Sequence, residues 1–201
     1  MYKSVLDIFA PFTATFEGRI PYMYQDVLGL VTIGLGCLID PVTMAVTLPF
    51  YRKSDNKLAT VDEIRQEWNL IKNDKTLASK GHLAAKKIAT LYLKQEDIDK
   101  LANKRLLLFE QELKKVFLDW DNFPANAQLA ILSMTWAIGS LFYKEFPKFT
   151  KFCNNKSWWE ASTECKMREE GNAGLVPRNE TNKKLLECAE LYPASEEIIL
   201  D

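Results

Sequence analysis

Three residues in one short stretch, FEGRIPYMYQDVLGLVTIGLG (16–36), have the types and spacing to do chemistry. Glu17 comes first, Asp26 follows nine positions later, and Thr32 six after that. Two carboxyls and a hydroxyl are the inventory for hydrolysis of a glycosidic bond. One carboxyl donates a proton to the leaving oxygen, and the other, ionised, activates water beside a hydroxyl. The same three residues also describe a helix-end Glu and an Asp turn-former with no chemistry at all. Residue types alone leave both readings open.

The elements that would position them are legible. Ser4-Val-Leu-Asp7 reads as a capping-box variant opening a helix. Val5, Leu6, Phe9, Phe12 and Phe16 form its apolar stripe, Pro11 breaks or restarts it, and Gly18 ends it. Glu17 then lies at a helix C-terminus, where the backbone carries partial negative charge, among Phe16, Ile20 and Tyr22; both features favour the protonated carboxyl. Residues 20–36 change to β character, with Gly29 in a turn and Gly34 and Gly36 closing the stretch. The expected hairpin sets Asp26 roughly opposite Thr32, side chains on one face.

Composition bounds what else the chain can be. It has 201 residues, 47% hydrophobic and 26% charged, which suits one domain or one domain of two lobes. A formal net charge of -1 gives no global reason to bind nucleic acid or an anionic surface. No apolar run is long enough for a bilayer span. The four cysteines (Cys37, Cys153, Cys165, Cys188) form no C-x-x-C pair and read as reduced core thiols, although antiparallel packing could bring Cys153 and Cys165 together to oxidise after export. His82 is the one histidine, which disfavours a zinc site or a Ser-His-Asp site; in ASKGHLAAKK it reads as an exposed bystander. No metal and no cofactor is expected. MYKSVLDIFAPF lacks the features of a secretory signal, so synthesis in the cytoplasm is expected.

Helical signals dominate the remainder. Asp40-Pro41 reads as a helix start, LPFYRKSDNKLA as loop, and Thr60 to Glu63 as a full capping box opening a helix to Asn73. A short helix is expected near 82–89 and a long amphipathic one over 95–118. DWDNFPANAQ breaks and restarts a helix carrying LAILSMTWAIG to Gly139, apolar nearly all round and hence buried. Three shorter helices follow, near 144–154, 157–169 and 179–191, and the tail PASEEIILD is expected to be loosely held.

Glu17, Gly18, Tyr24, Asp26, Gly29, Thr32, Ile33, Gly34 and Gly36 together resemble the catalytic signature of the phage-type lysozymes, glycoside hydrolase family 24 in the broad sense. AILSMTWAIG (130–139) is similar to that family's central helix, FPKFTKFCNNKSWWEA (146–161) to its next helix pair, and GLVPRN (174–179) to its C-terminal signature. The resemblance implies an α+β, mainly helical, two-lobed fold: a small lobe at about 15–94 carrying the hairpin, a long connecting helix, and a helical lobe from about 1–14 and 95–192. It implies Glu17 as general acid, Asp26 as base or water-holding carboxylate, Thr32 as a helper placing the water, and inversion at the sugar carbon. The carboxyls would then stand roughly 6.5–9.5 Å apart. Gly34 would let backbone approach sugar, or serve turn geometry alone; Trp136 and Phe146 would line the cleft, or belong to the core.

The sequence departs from the family at Cys37, where many relatives carry histidine, at Ala137, where they often carry Gln or Asn, and through 40–94, which is longer and matches no motif. The expected activity is a muramidase cleaving the β-1,4 bond between N-acetylmuramic acid and N-acetylglucosamine. It would act as a monomer on peptidoglycan strands after release or secretion, as a phage endolysin or a delivered antibacterial effector. An immunity or inhibitor protein, or secretion machinery, would be further partners. The alternatives are a glycosidase of chitin-like polymers and a non-catalytic glycan- or partner-binding module.

Overall fold

The computed structural model describes residues 1–170, 172 and 174–199. The chain is α+β and mainly helical, with small antiparallel sheets. It forms two compact units, one of Glu17–Ala102 and one of Met1–Phe16 together with the chain from Asn103 onward. No helix among the described residues is long and apolar enough to cross a membrane.

The first helix, α1 (Lys3–Glu17), runs through Pro11 without a break. Val5, Phe9, Ala10 and Thr13 are buried while Pro11 and Asp7 are exposed, so the bond that proline cannot donate is missing on the solvent side. The helix also begins before Ser4, whose hydroxyl donates to the Glu196 carbonyl instead of capping.

In the unit of Glu17–Ala102, β1 (Ile20–Gln25), β2 (Val31–Gly34) and β3 (Cys37–Leu38) form an antiparallel sheet in that order. Asp40-Pro41 does precede a helix, α2 (Val42–Ala45), but Pro41 is its cap position and Asp40 is turned to other partners. Within the expected loop, β4 (Tyr51–Arg52) is a strand. Next come α3 (Val61–Asn73), opened by the reciprocal Thr60–Glu63 capping box, α4 (Leu77–Lys80), α5 (His82–Ile88) and β5 (Leu91–Tyr92), which pairs with β4. Two-residue strands are too short to leave an alternating pattern, which is why they read as loop. The helix α6 (Gln95–Leu113) ends five residues earlier than its pattern suggests. Its first turns belong to this unit, beyond the expected limit at 94, because Ile98 packs against the sheet at Gly34 and Ala102 is buried. Met23, Val31, Ile33, Leu35, Ile39, Phe50, Ile71 and Leu93 fill the core.

In the other unit, α7 (Ala125–Ile138) is buried from Ala125 to Trp136. Around it are α8 (Pro147–Asn154), α9 (Trp158–Glu164) and α10 (Leu175–Leu191); α10 packs on both α7 and α9. Phe123 sits among Phe117, Trp120 and Trp158, the last with ring centroids 4.9 Å away. The tail is tied down rather than loose: Ala125 N donates to Ser195 O at 2.8 Å, and Asn126 exchanges two bonds with Ile199. Leu200 and Asp201, the rest of that expectation, lie outside the described residues.

Candidate functional site

Glu17, Asp26, Thr32 and Gly34 all belong to the unit of Glu17–Ala102. Glu17 is the last residue of α1 and is half-buried. Its carboxyl lies directly over Gly36, where an added Cβ would stand 3.4 Å from Glu17 Oε2. Gly36 has φ +78°, so a side chain there would be both strained and pressed against the carboxyl. Gly34, with φ +66°, has a different task. A Cβ there would come within 3.0 Å of Ile98 Cγ2, so what it lets close is the Ile98 side chain of α6.

Asp26 opens the turn between β1 and β2. Its Oδ1 accepts from Leu28 N and Leu30 N, both at 2.9 Å, and its carbonyl accepts from Gly29 N at 3.0 Å. An Asp side chain that closes its own turn in this way fixes its carboxyl plane. Oδ1 is thereby committed, and Oδ2 is the oxygen left for other work.

The register differs from the expected one. Tyr24, not Asp26, stands opposite Thr32, and Gln25 stands opposite Val31. Asp26 closes the loop against Leu30, its N–H donating to Leu30 O at 3.0 Å. The loop is shorter than expected, three residues (Val27, Leu28 and Gly29) in place of five, and this accounts for the shift: alternation still puts Asp26 and Thr32 on one face, but as diagonal neighbours. Thr32 is 4% exposed and its hydroxyl donates to Leu30 O at 3.2 Å.

Tyr24 is the residue that spacing alone missed, although it stands among the motif positions. Burial pushes its phenol far above the ordinary tyrosine range, and the Glu17 carboxyl, the Cys37 thiol, the Asp26 carboxyl and Tyr22 push in the same direction. His82 is exposed but no bystander: its Nδ1 is 3.0 Å from the Tyr22 hydroxyl, and its ring meets Tyr24 edge-on at 6.2 Å. A hydrogen-bonded ring between two tyrosines leaves no signal in sequence, because α5 and β1 are far apart along the chain.

Trp136 and Phe146 belong to the other unit. Trp136 is buried, its ring 5.2 Å from Phe9, 5.9 Å from Phe109 and 5.0 Å from the Arg105 guanidinium. Phe146 is half-buried, 6.3 Å from Phe142, and lines a cavity of about 410 Å³ with Pro147, Lys148 and Glu164. A second cavity, of about 760 Å³, lies between α3 and the β4–β5 pair. Buried Glu67 lines it, accepting from Thr90 N, Thr90 Oγ1 and Leu91 N. Neither cavity is lined by Glu17, Asp26 or Thr32.

Among the described residues no group of three or more His, Cys, Asp or Glu could hold a metal ion. The four cysteines form no disulfide. Burial, followed by Cys165, pushes the Cys153 thiol well up.

The arrangement holds two carboxyls of unlike setting, one at a helix end over a glycine and one locked in a turn, on a strand pair that also carries the half-buried Tyr24 phenol. Two such carboxyls are groups that can give and take a proton. No family model matches the chain, and no curated protein matches it.

Proposed function

We propose that the chain is a glycoside hydrolase that cleaves peptidoglycan at the β-1,4 bond between N-acetylmuramic acid and N-acetylglucosamine. One observation carries the reading: both carboxyls sit on a single β1–β2 hairpin, that of Glu17 lying over Gly36 just past β2 and that of Asp26 locked in the turn between the strands. The signature residues around them, which resemble those of phage-type lysozymes, supply the substrate class.

In this mechanism Glu17 gives its proton to the leaving glycosidic oxygen. Asp26 takes a proton from water through Oδ2, the oxygen not used in its turn, and Thr32 helps to orient that water. Direct attack by the water inverts the sugar carbon. Tyr24 stays neutral throughout, so it adds no further negative charge to the site. The reaction needs no cofactor. An endolysin and a delivered antibacterial effector would both use this chemistry.

The test is the product. Purified cell walls and, in parallel, chitin oligomers are incubated with the protein, and the fragments are identified by mass spectrometry. Muropeptides with reducing ends support the reading. Anhydro sugars would mean a transglycosylase, cleavage of chitin alone a different specificity, and wall binding without cleavage a non-catalytic module.

A further inference from the structure

The turn that carries Asp26 is gripped from three sides by the segment after the hairpin, the part of the sequence that matched no motif. Before the turn, Gln25 Nε2 donates to Ile71 O at 2.7 Å and Lys72 O at 3.0 Å, using carbonyls that the end of α3 leaves without helical partners. Inside the turn, Lys72 Nζ donates to Gly29 O at 2.9 Å and also to Asp40 Oδ2 at 2.7 Å. After the turn, the same Asp40 oxygen accepts from Val31 N at 3.2 Å.

Lys72 lies in the last turn of α3, where a cation already favours the helix end. A helix-end role alone would leave the ammonium in water. Instead it is about two-thirds shielded, and its ion-pair partner Asp40 is shielded more fully.

We infer that Lys72 and Asp40 are positioning residues that hold the Asp26 carboxylate in its working direction; this rests on the proposed role of Asp26 as the water-activating base. The physical chain is short. Oδ1 of Asp26 is committed to Leu28 N and Leu30 N, so the direction of Oδ2 follows the conformation of the turn. The conformation of the turn is set where Gly29 O and Val31 N are held. A misplacement of about 1 Å at a reacting group can cost on the order of 10²-fold in rate.

The experiment compares Lys72→Met, Lys72→Arg, Asp40→Asn and Asp26→Asn with the wild type. It measures kcat and KM for release of reducing ends from soluble glycan strands, and amide hydrogen exchange at Leu28, Leu30 and Val31. Lys72→Met is expected to lower kcat by on the order of 10²-fold with KM nearly unchanged. Exchange at the three amides should speed up while exchange within α7 stays as in the wild type. Lys72→Arg, which keeps the charged donor, should recover most of the lost kcat. Asp40→Asn keeps an acceptor for Val31 N and serves if Lys72→Met does not fold, with a smaller loss of the same kind. A normal kcat for Lys72→Met, or for Asp40→Asn where only that variant folds, in an enzyme that Asp26→Asn inactivates, overturns the inference and leaves the proposed function standing. So does a kcat loss with no change in exchange at the turn. If Asp26→Asn keeps full activity, or the wild type has none, the functional reading fails and the inference falls with it.

Discussion

Between Gln25 and Val31 the backbone is held by polar contacts: the Asp26 carboxylate inside the turn, and Lys72, Asp40 and the end of α3 outside it. Val27 and Leu28, at its tip, are 88% and 78% exposed and bury almost nothing. Between Ala125 and Trp136 the opposite holds. Every residue of that stretch of α7 is buried, and most are apolar. A few directional bonds define the first region, and area removed from water defines the second. Damage should therefore separate. Changes in the turn and its neighbours should alter activity more than stability, and changes in the apolar unit should do the reverse.

The largest stability effect is expected at the aromatic cluster beneath α7. Phe123→Ala removes a fully buried ring in contact with Phe117, Trp120 and Trp158, and should cost about 3–5 kcal/mol in denaturant unfolding. A loss under about 1 kcal/mol would erase the contrast between the two regions.

The two glycines at the end of β2 sharpen the comparison within one unit. Both have positive φ, so alanine at either should cost roughly 1–2 kcal/mol in backbone strain. Gly34→Ala should cost more than that, because its Cβ meets the buried Ile98 at 3.0 Å. Gly36→Ala should cost stability less and activity more, because its Cβ faces the Glu17 carboxyl. Thermal melting and wall clearing on the same samples check the pair. Equal effects of both substitutions on both quantities would contradict the assignment of Gly36 to the site and Gly34 to packing.

The smallest effect concerns pH. Burial pushes the Cys165 thiol up to about 11. The folded value lies above that of the unfolded thiol, so the stability contributed by the neutral thiol is complete below the unfolded value and is lost as pH rises through about 11. Melting temperature should fall over that alkaline window, and Cys165→Ala should flatten the fall. At neutral pH, half-buried Cys188 should react with a thiol reagent before Cys37, Cys153 and Cys165. On exported protein, a mass lower by two hydrogen atoms, with only Cys37 and Cys188 reacting after unfolding, would instead report a Cys153–Cys165 bond.

Much of the fold was legible because its longer elements announce themselves. The apolar run of α7, the Thr60–Glu63 box at α3 and the glycines around β2 are local signals. Three features were not. The course of α1 through Pro11 depends on which face meets solvent, a tertiary matter. The β4–β5 pair is too short to show a period, and its partners are separated by α3, α4 and α5. The register of the β1–β2 hairpin turned on how the Asp26 side chain closes its loop, and so moved Thr32 opposite Tyr24. For the candidate site, the residue types were legible. The grip of Lys72 and Asp40 was not, since a lysine at a helix end and an aspartate before a proline look ordinary until the fold brings them together.

The proposed mechanism turns on Glu17 as the acid. Glu17→Gln keeps the size and shape of the side chain over Gly36 and removes the proton to be donated. The decisive measurement is turbidity clearing of purified cell walls by wild type and Glu17→Gln, with thermal melting of both. A loss of rate of at least about 10²-fold is expected, with melting unchanged or slightly raised. Clearing at a near wild-type rate by a variant that melts normally would contradict it.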